Sequence, residues 1–394
     1  MISVSEAITL IQENIIPSKL TMVALAAGNG YILAENLFSP IDMPSFAQSA
    51  MDGYALHFDS FNSNNALPVV ANIPAGMTKQ PTLQAHEAMR IFTGAPIPEG
   101  ADTVVIQEKV MLTGNKIVIT DIALFKGANV RLQASQTAKG DLVLAKNTRL
   151  NAGIIGFLAG LGISEAKVYA KPSVGLLITG KELVSPENPL AFGQVYESNS
   201  YTLKAALSAL NIPVLEKKWV NDDLQETQAA IADLLAKVEV LIITGGISVG
   251  DYDFVQPALE INGVQKLFYK VKQKPGKPFY VGKTEKNRVF ALPGNPAAVH
   301  TCFYRYIQPC LLQMMGYRDA FSPTARLPLN QDFRKKAGFT HFLKAQRNEN
   351  GTVDILAHQE SYKMNAYVLA NGYIEMAEEK NDYQKGEYVD FWSF

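Results

Sequence analysis

Val238-Glu239-Val240-Leu241-Ile242-Ile243-Thr244-Gly245-Gly246-Ile247-Ser248-Val249-Gly250-Asp251-Tyr252-Asp253-Phe254 is the stretch that decides the fold. A short β-branched run reads as a buried strand. Glycines directly past a strand let backbone N–H groups come close to an anion. Two acids come next, where a metal ion or a proton can be handled. Two further loops of the same kind come later, Lys274-Pro275-Gly276-Lys277-Pro278 and Leu292-Pro293-Gly294-Asn295-Pro296. Three such loops point to a phosphorylated small molecule.

Around this stretch the chain alternates. Ser173 to Thr179, Val214 to Val220, Gln265 to Val271 and Val289 to Leu292 read as strands. Asn199 to Leu210, Leu224 to Lys237 and Ala297 to Met315 read as helices, the second capped by Asn221-Asp222-Asp223. Alternation of this kind predicts a mainly parallel sheet covered on both faces, with ligands beyond the carboxyl ends of its strands. Thr179-Gly180-Lys181-Glu182-Leu183, the Gly245 loop, KPGKP and LPGNP all come after strands and are expected to converge on one crevice. Gly245, Gly246, Ser248 and Gly250 offer donors to a phosphate. Lys274 and Lys277 flank a stiff Pro275-Gly276 bend. Pro293 and Pro296 stiffen the loop that carries Gly294 and Asn295, and the helix after it aims its positive end at the same place.

Outward from this region the pattern changes twice. Val4, Ala7, Ile8, Ile11 and Ile15 share one helical face, and a second short helix is expected near Ala27 to Glu35. From Leu67 to Val143 short strands and turns predict a β-rich piece, followed by helix over Asn147 to Tyr169. Ala152 to Ile163, with Gly153, Gly156, Gly160 and Gly162, reads as a packed helix whose glycines admit a close neighbour. After Pro323 short strands return, predicting a C-terminal β-barrel or sandwich. The expected division is an elongated helical domain at 1–45 and 146–171, an inserted β-rich domain at 46–145, an α/β domain at 172–318 and a C-terminal β-barrel domain at 319–394.

The 394 residues exceed one ordinary core, and 47% hydrophobic with 19% charged residues fits a folded multidomain protein. A formal charge of −1 gives no global pull toward nucleic acid or anionic membrane. Cys302 and Cys310 are the two cysteines, a count that makes neither a disulfide framework nor a zinc pattern; packing in a helix and a reducing cytoplasm are the natural reading. The N-terminus lacks a basic region ahead of an apolar core, so it does not read as a signal peptide, and no stretch is long enough to span a membrane. His57, His86, His300, His341 and His358 show no metal-ligand spacing. Asp52, Glu182, Asp251 and Asp253 each sit beside a glycine-containing turn. As a set around phosphate loops they suit Mg²⁺-assisted chemistry, although any one alone is more simply an Asx turn.

In combination these motifs resemble the molybdopterin molybdenumtransferase family, the MoeA and gephyrin E-domain group. The carrying residues are Pro44-Ser45-Phe46 with Ser49-Ala50-Met51-Asp52-Gly53-Tyr54-Ala55, then Phe92-Thr93-Gly94-Ala95-Pro96 with Pro98-Glu99-Gly100-Ala101-Asp102 and Glu108. They continue with Thr179-Gly180, Glu182-Leu183, Gly193-Gln194-Val195-Tyr196, Ser198-Asn199 and the three loops above, in family order from about residue 40 to 310. The resemblance implies four domains, an elongated homodimer and a cleft built from both subunits. It implies insertion of molybdate into adenylylated molybdopterin with release of AMP and a Mg²⁺ requirement, and a molybdopterin adenylyltransferase as possible partner. By the same resemblance Thr93, Gly180, Ser198, Gly245, Gly246, Ser248, Gly250, Asp253, Lys274, Pro275, Gly276, Lys277, Pro293, Gly294 and Asn295 bind the cofactor. Asp52, Glu182 and Asp251 are then expected to be catalytic, and together with Asp253 to hold the metal.

The chain departs from the family pattern at four places. Lys181 stands where an acid precedes Glu182. Arg131 is followed by Leu132-Gln133-Ala134-Ser135-Gln136, without the usual Gly-Glu-Asp. Ala47-Gln48 replaces Asp-Asn, and Gln359-Glu360-Ser361 replaces Gln-Gly-Ser. A diverged paralogue that binds molybdopterin or a protein partner without efficient turnover is therefore the second reading. The related adenylyltransferase is the third, and the large N-terminal half and the C-terminal segment argue against it.

Overall fold

The computed structural model describes residues 1–61, 65–247 and 254–394, and the chain divides into two compact units, 1–21 with 168–394, and 22–167. In the first unit a six-stranded sheet runs in the order Val214–Val220, Val174–Thr179, Val240–Thr244, Arg288–Leu292, Tyr280–Lys283, Gln265–Tyr269. The first four strands are parallel and the last two are added antiparallel. Val174–Thr179, Val240–Thr244 and Arg288–Leu292 are buried along their whole length, as strands covered on both faces must be. Edge strand Val214–Val220 instead alternates in exposure, which suits Leu-Glu-Lys-Lys-Trp at a solvent border.

Two apolar layers cover the faces. Leu176, Ile242, Phe290 and Leu292 pack with Leu203, Leu207, Val299 and Phe303 on one side. Leu177, Leu241, Ile243 and Val289 pack with Ile231, Leu234, Val255 and Leu259 on the other. Val4, Ala7 and Ile11 of the N-terminal helix Val4–Glu13 join the first layer, so this helix packs with the α/β sheet. Its start is fixed by a capping box between Ser3 and Glu6. The expected long helix from Ala297 is present as Pro296–Cys302, a π-helical stretch Phe303–Ile307, and Gln308–Met314. Pro309 has no N–H to continue the α-helical ladder, which accounts for the interruption.

The C-terminal residues form a second sheet in the order Gln273–Lys274, Thr340–Arg347, Gly372–Met376, Tyr388–Ser393, Ala325–Pro328, with Val353–Ile355 beside Thr340–Arg347. An isolated bridge joins Leu329 to Val353. The strand Gln273–Lys274 pairs parallel to Thr340–Arg347, placing Lys274 opposite His341. This pairing ties the KPGKP loop to the C-terminal sheet, a link the sequence pattern does not reveal.

The second unit holds a sheet in the order Thr103–Ile106, Gly53–Leu56, Ala88–Ile91, Leu67–Ile73, Lys116–Ile119, Val110–Thr113. Its faces are filled by Tyr54, Leu56, Leu67, Val105 and Ile117 on one side and Ala55, Ile73, Met89, Ile91 and Val104 on the other. Helix is scarcer here than the sequence predicts. Near Ala27 to Glu35 only the 3-10 turn Leu25–Ala27 forms, because Gly28-Asn29-Gly30 comes directly after it. Over 147–169 the helix is limited to Ala152–Gly160, and Glu165–Tyr169 is a strand. That helix buries only Leu158, and of its glycines only Gly160 faces another element, at Met43. The close neighbour expected along Ala152 to Ile163 is therefore not supplied by the described residues.

Candidate functional site

In the first unit the four parallel strands end at one cavity of about 550 Å³. Val174–Thr179 delivers Thr179, Gly180 and Glu182; Val240–Thr244 delivers Thr244, Gly245 and Gly246; Arg288–Leu292 leads to Gly294, Asn295 and Pro296; Val214–Val220 leads to Asp222. Ser198 and Asn199, at the start of the helix Asn199–Ala209, complete the floor. This is the place a doubly wound sheet reserves for a ligand, between two adjacent strands whose outgoing connections part: Val174–Thr179 leads to Val214–Val220 on one side, Val240–Thr244 to strands on the other.

Gly245 shows why the loop needs glycine. Its φ is +90°, and a Cβ there would lie 2.5 Å from the Thr179 carbonyl oxygen. The Gly245 N–H donates to the Leu292 carbonyl at 3.0 Å, so the three strand ends are locked together at backbone distance. Two buried side-chain oxygens in the cavity wall, Asn199 Oδ1 and Thr244 Oγ1, have no hydrogen-bond partner among the described residues. Asn199 is 7% exposed and Thr244 1%. Buried polar atoms left without partners are costly, and a bound ligand or water is the ordinary remedy. Among the described residues the cavity's charged lining is Glu182 and Asp222, with no lysine or arginine. The Lys181 N–H donates to Asp222 Oδ2 at 3.4 Å.

KPGKP does not join this cavity. Lys274, Pro275, Gly276 and Lys277 line a second one of about 620 Å³, together with Pro293, His341 and the turn Gln359-Glu360-Ser361. Where one crevice was expected for all four loops, their described residues line two adjoining cavities that share Asn295. The cause is the pairing of Gln273–Lys274 with the C-terminal sheet, which draws the loop to that side. Buried Gln273 shapes the bend: its Nε2 donates to the carbonyls of Pro275 at 3.2 Å and Gly276 at 3.1 Å, and its Oε1 accepts from Tyr306. Both ammonium groups lie over the Phe339 ring, at 5.3 Å for Lys274 and 5.8 Å for Lys277. Neither makes an ion pair among the described residues. Burial, then Lys335 and Lys274, hold His341 below the usual imidazole range.

Asn295 stands on the wall common to both cavities. Its Oδ1 caps the helix Pro296–Cys302, accepting from the N–H groups of Ala297 at 3.0 Å and Ala298 at 3.4 Å. Its Nδ2 donates to Ser361 Oγ at 3.0 Å. The helix start is therefore already occupied by a side chain, not open to a ligand as the LPGNP pattern suggests.

Asp52 belongs to the second unit and precedes the strand Gly53–Leu56. One of its oxygens accepts from the Thr93 N–H at 2.7 Å and the Thr93 hydroxyl at 2.8 Å. These two bonds, backbone first, and then the nearby Arg90 charge hold its carboxyl below the usual range. Arg90 lies between the Phe92 and Tyr54 rings, at 4.8 and 5.1 Å, and donates to the Gly53 carbonyl at 2.7 Å. A Cβ on Gly53 would fall 2.0 Å from the Val105 carbonyl oxygen, so the residue after Asp52 has to be glycine. Thr93, a ligand contact by the family resemblance, is hydrogen-bonded to Asp52.

Ser248, Gly250, Asp251 and Asp253 lie outside the described residues. Among the described residues no three His, Cys, Asp or Glu side chains are grouped to hold a metal. Cys302 and Cys310 are buried, with thiols pushed up to about 12 by burial, in keeping with packing. The sequence reading missed Asp222, assigned there to a helix cap, and missed Tyr362 and Met364 from the C-terminal region. The position of Asp222, just beyond the carboxyl end of Val214–Val220, is a signal that could have found it; the other two carry no local signal.

Three family models match the chain: the MoeA N-terminal region (domain I and II) at residues 2–162, the probable molybdopterin binding domain at 175–313, and the MoeA C-terminal region (domain IV) at 326–394. A molybdopterin molybdenumtransferase of Haemophilus influenzae is 34% identical over 96% of this chain and 95% of its own length. Another, from Nostoc, is 39% identical over 77% of this chain and 71% of its own. The crystal structure of the molybdopterin biosynthesis MoeA protein from Pyrococcus horikosii superposes with a TM-score of 0.86 at 27% identity, covering 100% of this chain and 99% of that one. Models along the chain's length and relatives of this coverage and identity show that it belongs to the molybdopterin molybdenumtransferase family.

Proposed function

We propose that this protein inserts molybdate into adenylylated molybdopterin and releases AMP, completing the molybdenum cofactor. The observation that carries the reading is the pair of cavities of different charge on either side of Asn295. One offers Glu182 and Asp222 with polar backbone; the other offers Lys274 and Lys277, its one carboxylate, Glu360, being paired with Lys363. A reaction that joins a phosphorylated pterin to an oxyanion needs two such neighbouring places, and family membership makes the two ligands molybdopterin and molybdate.

Molybdate is a dianion and belongs with Lys274 and Lys277, neither of which is ion-paired among the described residues, while the Glu360 carboxylate in that cavity is taken by Lys363. The pterin phosphates belong at the Gly180, Gly245, Gly246 and Gly294 turns, with Ser198, Asn199 and Thr244 as polar contacts. Carboxylates alone repel phosphate, so Glu182 and Asp222 fit a Mg²⁺ ion that keeps several water or phosphate ligands of its own. Bound there, Mg²⁺ would neutralise pyrophosphate charge. Asp251 and Asp253 are further candidates for that ion, and Asp52 for orienting water in the hydrolytic step. The working form is a homodimer in the cytoplasm, supplied by an enzyme that adenylylates molybdopterin. The Leu329 to Val353 bridge supports the C-terminal segment 319–394 as a small barrel; in the proposed division 46–145 and 172–318 stay as domains, the helix Val4–Glu13 joins the α/β domain on which it packs, and the rest of 1–45 stays with 146–171.

Calorimetry with molybdate and with AMP tests the assignment. Lys274→Met with Lys277→Met is expected to abolish molybdate binding and spare AMP. Glu182→Gln with Asp222→Asn is expected to remove the Mg²⁺ dependence of AMP binding and spare molybdate. Loss of both ligands in either variant would contradict two separate cavities.

A further inference from the structure

Lys344 sits in the strand Thr340–Arg347, 3% exposed, and is no part of either cavity's lining. Its ammonium donates to three backbone carbonyls of one loop: His358 at 3.0 Å, Glu360 at 3.1 Å and Lys363 at 2.9 Å. An ammonium has three donors, so all are used and none is left for a ligand. The backbone N–H of Lys344 donates to Gln359 Oε1 at 2.9 Å, while Gln359 Nε2 donates to the Lys344 carbonyl at 2.9 Å and to the Leu356 carbonyl at 2.8 Å.

The loop so held is the wall of both cavities. Gln359, Glu360 and Ser361 line the basic one, and Tyr362 and Met364 line the acidic one. Ser361 also accepts from Asn295, the residue common to both. Glu360, which departs from the family's glycine, pairs its carboxylate with Lys363 at 3.1 Å and gives its carbonyl to Lys344. Burial of the ammonium, and then Lys363, lower its proton affinity, with Glu360 acting the other way, while the three carbonyls satisfy its donors.

We propose that Lys344 is a positioning residue that holds the 356–364 loop as a common wall, so that one buried charge sets the geometry of both ligand sites at once. The inference rests on the two-cavity reading for its ligands, but its structural core does not. A methionine here leaves three carbonyls without a donor, whereas an arginine can still supply them.

The test is hydrogen exchange of residues 356–364 in the full chain, with AMP and molybdate affinities measured well below the unfolding temperature. Lys344→Met is expected to speed exchange in this loop at least about tenfold without a comparable change in the α/β sheet, and to weaken both probes together. Lys344→Arg is expected to restore all three readouts. Should Lys344→Met not fold, Lys344→Gln gives the same comparison with smaller changes. Unchanged loop exchange, or weakening of one probe alone, overturns the proposal. If the native protein binds neither probe, the functional reading fails, and loop exchange by itself decides the role of Lys344.

Discussion

Replacing Asn295 separates its structural role from its place on the cavity wall. Asn295 Oδ1 caps two N–H groups and Nδ2 donates to Ser361. Asn295→Asp keeps the capping oxygen, and the two residues are nearly equal as caps, so stability is expected to change by no more than about 0.5 kcal/mol. Ser361 can rotate its hydroxyl to donate where it now accepts. What changes is charge. A unit negative charge ~8 Å from a bound anion, at an effective dielectric constant of ~20, raises its energy by ~2 kcal/mol per anion charge. That is about thirtyfold in Kd, and more for a dianion. Asn295→Ala does the reverse: it removes the cap, costing about 1 kcal/mol, while adding no charge, so molybdate affinity is expected to fall only a few-fold. Thermal unfolding and molybdate calorimetry at low and high salt measure both effects, and the Asn295→Asp deficit is expected to shrink as salt screens it. Native-like molybdate affinity in Asn295→Asp at low salt, or a larger binding loss in Asn295→Ala, would refute the placement of the oxyanion beside this residue.

Further expectations concern each unit separately. Gly53→Ala puts a Cβ 2.0 Å from the Val105 carbonyl oxygen and must spread two paired strands, so a loss of about 2 kcal/mol or more is expected in denaturant unfolding; a native midpoint would contradict the close approach. Thr93→Val deletes one of two donors to Asp52 and is expected to raise the Asp52 carboxyl pKa in an NMR titration; an unmoved titration would show that the hydroxyl bond does not matter. His300 is held neutral, its pKa lowered to about 3 by burial and then by Lys344. The unfolded chain takes up this proton near pH 6.5 and the folded chain does not. Stability is therefore intact above about pH 6.5 and falls as pH drops toward 3, by ~1.4 kcal/mol per unit from this group. His300→Phe is expected to flatten that acid limb relative to the native protein, and parallel limbs in the two proteins would count against it.

The α/β sheet was legible because its signals are local and redundant: buried β-branched runs such as Val240–Thr244, capped helices such as Leu224–Lys237, and glycine turns at strand ends. Helix extent in the second unit was overread because apolar content at Ala27 to Glu35 and Asn147 to Tyr169 resembles a helical face, while the glycines that stop it act through backbone conformation. The candidate site was half legible. Strand-end loops announced Gly180, Gly245 and Asn295. The split into two cavities was not visible, because it depends on pairing Gln273–Lys274 with a strand some seventy residues later in the chain. The wall formed by 358–364 is likewise invisible locally, since its carbonyls are held by a buried lysine on the strand Thr340–Arg347.

The central claim, that this chain turns over and does not merely bind, is tested most directly by a single-turnover reaction of the purified protein with adenylylated molybdopterin, molybdate and Mg²⁺, measuring AMP and finished cofactor. The predicted result is AMP release in step with cofactor formation, dependent on molybdate and Mg²⁺ and abolished by Lys274→Met with Lys277→Met. Tight binding of the adenylylated pterin with no AMP released would contradict it and leave the chain a molybdopterin binder.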